Sequence, residues 1–188
     1  MGASVRVRLT FAVACLLAVA ACTGEPGGER SDQQPSASAS PSVYAPSASQ
    51  VVAELARRGA PLRTPHDYTA ATDPNKLLGK PNGYLSKTAF SDSRVPAEYV
   101  RAERKEALIR GGSVEVFVSA DRARARAEDV KRISRSLPKL AEHDLLAGPV
   151  LLRLSRLLTL EQIAVYQSAL AEAVGQPVVM VSPKPIGS

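Results

Sequence analysis

Between residues 113 and 119 the chain reads SVEVFVS. An extended backbone puts Val114, Val116 and Val118 on one side and Glu115, Phe117 and Ser119 on the other. This two-residue period predicts a strand whose valine side faces a core. Val150, Leu152 and Leu154 alternate in the same way with Leu151, Arg153 and Ser155, predicting a strand over 150–155. A strand over 142–147 precedes it across Ala147-Gly148-Pro149, so the two form a hairpin. Lys80-Pro81-Asn82-Gly83 is turn chemistry, and a further strand runs from about Tyr84 to Asp92.

Elsewhere the period is that of a helix. After Ser119, at about 100° per residue, Ala123, Ala127, Val130, Ile133 and Leu137 share one face, while Arg124, Lys131 and Arg135 share another. The last helix opens on Thr159-x-x-Gln162, a capping-box pattern, and groups Ile163, Tyr166, Leu170, Ala173 and Val174 before Gly175 stops it. A first helix is predicted over 49–58, with Ser49 as its cap, Val52, Leu55 and Ala56 on one face, and Gly59 as its stop. An extended segment covers about 62–70, and Asp73-Pro74-Asn75 reads as the start of a short helix anchored by Leu77 and Leu78. Residues 93–111 read as a charged, exposed excursion in which Pro96 can open a helix. The tail 176–188 holds VVMV between prolines and reads as an edge strand or a disordered end. The order helix, strand, strand, helix, strand, strand, helix predicts an α+β domain over 49–175. Its antiparallel sheet has about four strands, with two to three helices packed on one face.

The N-terminus follows a different logic. Arg6 and Arg8, with no acid before residue 22, precede about ten apolar residues, too few for the roughly 20 that span a bilayer. The run ends at Val19-Ala20-Ala21-Cys22, which resembles a bacterial lipobox. The expectation is a cleaved signal peptide over 1–21 and a diacylglyceryl thioether on Cys22, whose sulfur is the nucleophile that takes the lipid. Two acyl chains hold a protein on a membrane where one holds it marginally. Residues 22–48 are rich in Ser, Pro, Gly and Ala and cannot bury enough surface to offset their ordering entropy. They form a tether of roughly 28 Å as a coil and roughly 85 Å fully extended. The expected location is the outer face of the cell membrane.

Composition narrows the function classes. Removal of Arg6 and Arg8 lowers the formal charge from +6 to +4, with the charges interspersed. Aromatic residues make up 4% and Trp is absent, so neither the basic stripe nor the stacking positions of a nucleic-acid binder are present. The two cysteines are Cys15, in the signal, and Cys22, so the mature domain holds no free thiol or disulfide.

Three stretches, DPNKLLGKPNGYLSKTAFSD (73–92), GGSVEVFVSADRARARAEDVKRI (111–133) and GPVLLRLSRLLTLEQIAVYQSAL (148–170), carry a resemblance. In order and spacing the chain resembles a family of uncharacterised actinobacterial secreted lipoproteins, each with a lipobox, a low-complexity linker and one small α+β domain. The resemblance covers most of residues 50–172 and implies no assigned chemistry. The LLGxPxxY stretch is also similar to small helix-plus-sheet modules that bind proteins at cell envelopes, an analogy at the level of fold. Where family members carry a Glu-Tyr pair leading into the third strand, this chain has Glu142-His143-Asp144.

Catalytic motifs are sparse. There is no GxSxG elbow, HExxH or Gly-rich phosphate loop. A Ser-His-Asp set can be assembled from His143, a serine and Asp92 or Asp144, as any serine-rich chain allows. Glu142, His143 and Asp144 could suggest a metal, but neighbours on a strand face opposite ways. Glu115 is either a buried acid with a raised pKa or, more simply, solvated or paired with a lysine such as Lys87. The Arg124, Lys131 and Arg135 face could meet a polyanion, although Glu128 and Asp129 dilute it. Segment 73–92, whose turn residues fix an unusual path, is the best functional candidate.

No catalytic residue, cofactor or metal site is therefore assigned. The reading is a non-enzymatic binding or interaction module of the cell envelope, with an envelope protein or wall component as partner and no nucleic acid. The alternative is a small wall-acting hydrolase. A deep pocket with convergent ionisable groups would favour the hydrolase, and an open sheet face with exposed apolar residues the binder.

Overall fold

The computed structural model describes residues 46–181; the expected signal peptide, Cys22 and most of the tether lie outside them. Helix α1 (Ala48–Arg57) is followed by strands β1 (Leu62–Asp67) and β2 (Ser86–Asp92) and a single turn of helix, α2 (Ala97–Val100). A 3₁₀ turn at Leu108–Arg110 leads into β3 (Gly111–Val116), then α3 (Ala120–Ser136) and a second 3₁₀ turn at Pro138–Leu140. The hairpin β4 (Glu142–Ala147) and β5 (Val150–Ser155), helix α4 (Leu160–Val174) and β6 (Val179–Met180) complete the described chain.

All pairings are antiparallel, in the order β1-β2-β3-β5-β4-β6. The expected α+β class and antiparallel sheet are present, but the sheet has six strands rather than about four. The added strands are the edges. In β1 one buried position precedes five exposed ones, so no alternation marks it. In β6 two residues pair with Leu145 and Leu146.

Helices cover both faces, which corrects the expectation of one. Helices α1 and α4 pack together over the side formed by Phe90, Val114, Val116, Leu145, Leu152 and Leu154. Helix α3 lies on the other side, where Ala123 and Ala127 close over Tyr84, Phe117, Leu146 and Leu151. The physical reason is that the central strands carry apolar groups of both parities, and each patch needs a cover. Gly112 lets the strands close: a Cβ there would stand 2.5 Å from the Arg153 carbonyl oxygen and 2.8 Å from the Phe90 ring.

Several local details differ from the pattern reading. The α1 cap is Ser47, not Ser49, and Ser47 and Gln50 form a full capping box. Strand β3 ends at Val116, leaving Val118 71% exposed, while Phe117 turns into the α3 side. Ile133 and Leu137 are about half exposed, and Ser134 takes the buried position in the last turns of α3. Asp73-Pro74-Asn75 winds turns rather than a helix. Residues 93–111 are not wholly exposed, because Val95 and Val100 enter the core and Ile109 packs against it.

Candidate functional site

The α3 side of the sheet is apolar at one end and charged at the other. Strand parity places Lys87 (β2), Ser113 and Glu115 (β3), Arg153 (β5), and Glu142 and Asp144 (β4) on this side. Ser113 and Asp144 both lie directly opposite Arg153 in register. Arg153 nevertheless reaches diagonally: Nη1 donates to Glu115 Oε1 at 2.9 Å, and Nε and Nη2 donate to the two oxygens of Glu142 at 2.8 and 2.9 Å. Such a fork fixes the guanidinium plane.

Glu115 is fully buried and holds three cations: Arg153, Arg126 Nε at 3.3 Å and Lys87 Nζ at 3.5 Å. Burial alone would raise its pKa, but Arg153, Arg126 and Lys87 together hold it below the usual value. The pairing with Lys87, one of the expected alternatives, is therefore present, and so is the burial, whereas exposure to solvent and a raised pKa are not.

The loop 68–85 closes the network from above. Burial works against the Asp73 carboxylate, yet the Tyr84 hydroxyl at 2.6 Å, the backbone N–H groups of Leu77 and Asn75, and Lys87 bring it down to about 2. Gly83 permits this winding, since a Cβ there would collide with the Leu77 carbonyl oxygen. The Asn75 side-chain oxygen accepts from Lys87 Nζ at 2.8 Å and from Arg126 at 3.3 Å, the amide orientation that matches donors to acceptors. Lys87 also lies 5.0 Å from the Tyr68 ring centre, and its burial lowers its pKa against the pull of Glu115.

Lys87, Arg126 and Arg153 balance Asp73, Glu115 and Glu142, three charges against three. Asp144 is the fourth carboxyl. Its burial, followed by the neighbouring Glu142 carboxylate, pushes its pKa up to about 8, so it carries a proton at neutral pH and the network stays balanced.

Beside this network lies a cavity of about 340 Å³ between α3, the Leu108–Arg110 turn and the start of β4. Leu108, Ile109, Val130, Ile133 and Leu140 give it apolar walls, and Asn75, Arg126, Glu142 and Arg153 form its polar end. A smaller cavity of about 120 Å³ adjoins it, sharing Asn75, Leu108 and Arg153 and adding Lys87, Ser113 and Tyr68. Ser113 Oγ is buried there with no hydrogen-bond partner among the described residues.

The other residues singled out from the sequence do not converge. His143 lies on the opposite face of β4 from Glu142 and Asp144, and burial lowers its pKa. His66 sits on the exposed edge strand against Tyr68. Asp92 is held by Arg94 at 2.7 Å and by the Tyr166 hydroxyl at 2.7 Å, on the α4 side. No Ser-His-Asp set is brought together from His143 with Asp92 or Asp144. Among the described residues no group of three or more His, Cys, Asp and Glu is placed to hold a metal, and no helix is long and apolar enough to cross a membrane. On α3, Arg124 and Arg135 are exposed and Lys131 pairs with Glu128 at 3.6 Å.

Segment 73–92 supplies Asp73, Asn75, Tyr84 and Lys87 to the site. Arg126 and Arg153 carried no role in the expectations from sequence, and Glu142 and Asp144 entered them only as neighbours of His143, on whose opposite strand face they lie. For Arg153, Glu142 and Asp144 the signal was a set of opposite charges at matching strand parity, legible only once β5 is known to lie beside β3, and Arg126 joins them from helix α3. No known protein family, curated protein or solved structure matches the chain.

Proposed function

We propose that this chain is a lipoprotein on the outer face of the cell membrane, held by lipid on Cys22, and that its domain is a non-enzymatic binding module of the cell envelope. The binding site is the cavity under α3. Convergent ionisable groups in a pocket were the mark expected of a hydrolase, but Arg126, Glu142 and Arg153 are engaged in ion pairs with one another and with Glu115. This pairing of an aliphatic lining with a self-neutralised polar end carries the binding reading. Such a lining orients a ligand without a poised nucleophile, and binding pockets are commonly apolar with a few fixed polar groups. Ile133, Leu137 and Leu140, each about half exposed, cluster in sequence beside its mouth and extend the apolar surface outward. The signal-like N-terminus, lipobox and Ser/Pro-rich tether support the location.

One observation favours a wall-acting hydrolase as the second reading. Glu142 and Asp144 sit two residues apart on one strand face, and burial together with the neighbouring Glu142 raises the Asp144 pKa, the kind of unequal carboxyl pair that acid–base hydrolysis uses.

Photo-crosslinking in intact cells tests the binding reading. A photoreactive residue at Ile133 should yield an envelope adduct, while the same residue at Arg124, on the opposite side of α3, should not. Equal adducts from both positions, or none from Ile133, would contradict it.

A further inference from the structure

We infer that the ligand of this cavity is a single-chain anionic amphiphile, an aliphatic chain ending in a carboxylate or phosphate. The inference rests on the cavity's being the binding site, and it names the ligand class from three features of the lining.

The first is the segregation of the walls. Leu108, Ile109, Val130, Ile133 and Leu140 supply an aliphatic lining with no aromatic ring among the lining residues. A flexible alkyl chain suits such a wall better than a flat ring, which gains most by stacking on another. The volume of about 340 Å³ is at the small end for ligand sites, and the adjoining cavity of about 120 Å³ extends the polar end rather than the apolar one.

The second is the sign of the lining. Arg126, Lys139 and Arg153 face the larger cavity against one carboxylate, Glu142. The smaller cavity adds Lys87 and the pair Arg104 and Glu106. The balancing carboxylates Asp73 and Glu115 stand behind these groups, fully buried. Lys87, Arg126 and Arg153 are balanced by Asp73, Glu115 and Glu142, and Arg104 pairs with Glu106, so Lys139 is the excess charge of the lining and an anionic head group answers it where a cationic one does not.

The third is the supply of directed donors. Arg126 carries five N–H groups, of which Glu115 and Asn75 take two, and its side chain is 14% exposed at the cavity. Ser113 Oγ, buried in the smaller cavity, is a further donor with no partner among the described residues. A carboxylate or phosphate oxygen accepts from both kinds of group. The head group is therefore placed at the wall shared by the two cavities, with the chain running out along Val130 and Ile133 to the exposed Leu140.

Calorimetric titration tests this with the full chain carrying Cys22→Ser, which can take no lipid of its own. Dodecanoate and a lysophosphatidate of the same chain length are the probes, below their micellar concentrations, against dodecyltrimethylammonium. Saturable one-to-one binding of an anionic probe, at least tenfold tighter than the cation, supports the inference; the tighter of the two anions identifies a carboxylate or a phosphate head. Arg126→Gln should weaken that binding about tenfold. Lys139→Ser and Ile133→Ser, both at exposed positions, should weaken it severalfold and remain informative if Arg126→Gln does not fold. Equal affinity for the cation, or anionic binding unchanged in Lys139→Ser and Ile133→Ser, would overturn the inference. So would no saturable binding of either anion. An Ile133 crosslink to a protein or wall polymer would then leave the cavity as a binding site while removing this ligand class from it.

Discussion

Glu115 and Arg153 meet at 2.9 Å from diagonal positions on β3 and β5, although 37 residues and all of α3 and β4 separate them in the chain. The pair forms the centre of a charge network that the fold encloses almost completely. Removing one partner of a buried ion pair leaves the other uncompensated, at a cost of about 3–5 kcal/mol. Glu115→Leu should destabilise the domain by that amount in urea melts. Glu115→Leu with Arg126→Met, which restores the charge balance, should recover part of the loss. A double variant as unstable as the sum of its single variants would show that the two side chains are not coupled.

Asp144 sets a pH dependence of definite sign. Its folded-state pKa is raised from 3.8 to about 8, so its contribution to stability is complete below about pH 4 and is lost as pH rises through about 8. Asp144→Asn carries no such proton. Relative to the wild type, the variant should gain stability as pH climbs from 4 to 8, by an amount on the order of a few kcal/mol. Denaturant melts of both proteins at pH 4, 6 and 8 check this. A constant difference across that range would show that Asp144 titrates normally.

Helix α4 supplies the core test on the other side of the sheet. Leu170 is fully buried in the cluster with Ile163, Tyr166 and Leu152, and Leu170→Ala should cost about 2–5 kcal/mol. Ser168 is exposed, and its change to Gln should be close to neutral. Urea melts that rank the two variants the other way would reverse the assigned face.

The reading of this helix shows what pattern alone conveys. The Thr159–Gln162 capping box, the left-handed Gly175 stop and the bounds of β4 and β5 all follow from local signals and recur in the fold. Arg153 shows where such signals end. Its strand face was evident, but its neighbours depend on β5 lying between β3 and β4, a pairing that no residue within β5 dictates. The position of α3 was hidden for a related reason. Its apolar stripe fits a sheet face, yet which face depends on Phe117 and Leu151 joining Tyr84 and Leu146 into one patch. Edge strands β1 and β6 were legible only as an extended segment over about 62–70 and as one of two options for the tail, because a mostly exposed strand, or one of two residues, carries no alternation.

The proposed lipid anchor rests on Cys22. Cys22→Ala should move the protein from the membrane fraction to the soluble fraction, or block its maturation, as fractionation and immunoblotting would show. A substituted protein that loses its signal and still sediments with the membrane would remove the lipid anchor from the account.

The central claim is that the cavity under α3 is where the domain binds. Ala141 lines that cavity, is only partly buried and stands just before β4, so Ala141→Phe can fill the space without disturbing the Glu115 network. The decisive measurement is capture from envelope extract by wild-type and Ala141→Phe proteins whose melting curves match. The account predicts a component retained by the wild type and lost, by at least tenfold, from the filled variant. Equal retention by both would contradict it and place the binding surface elsewhere.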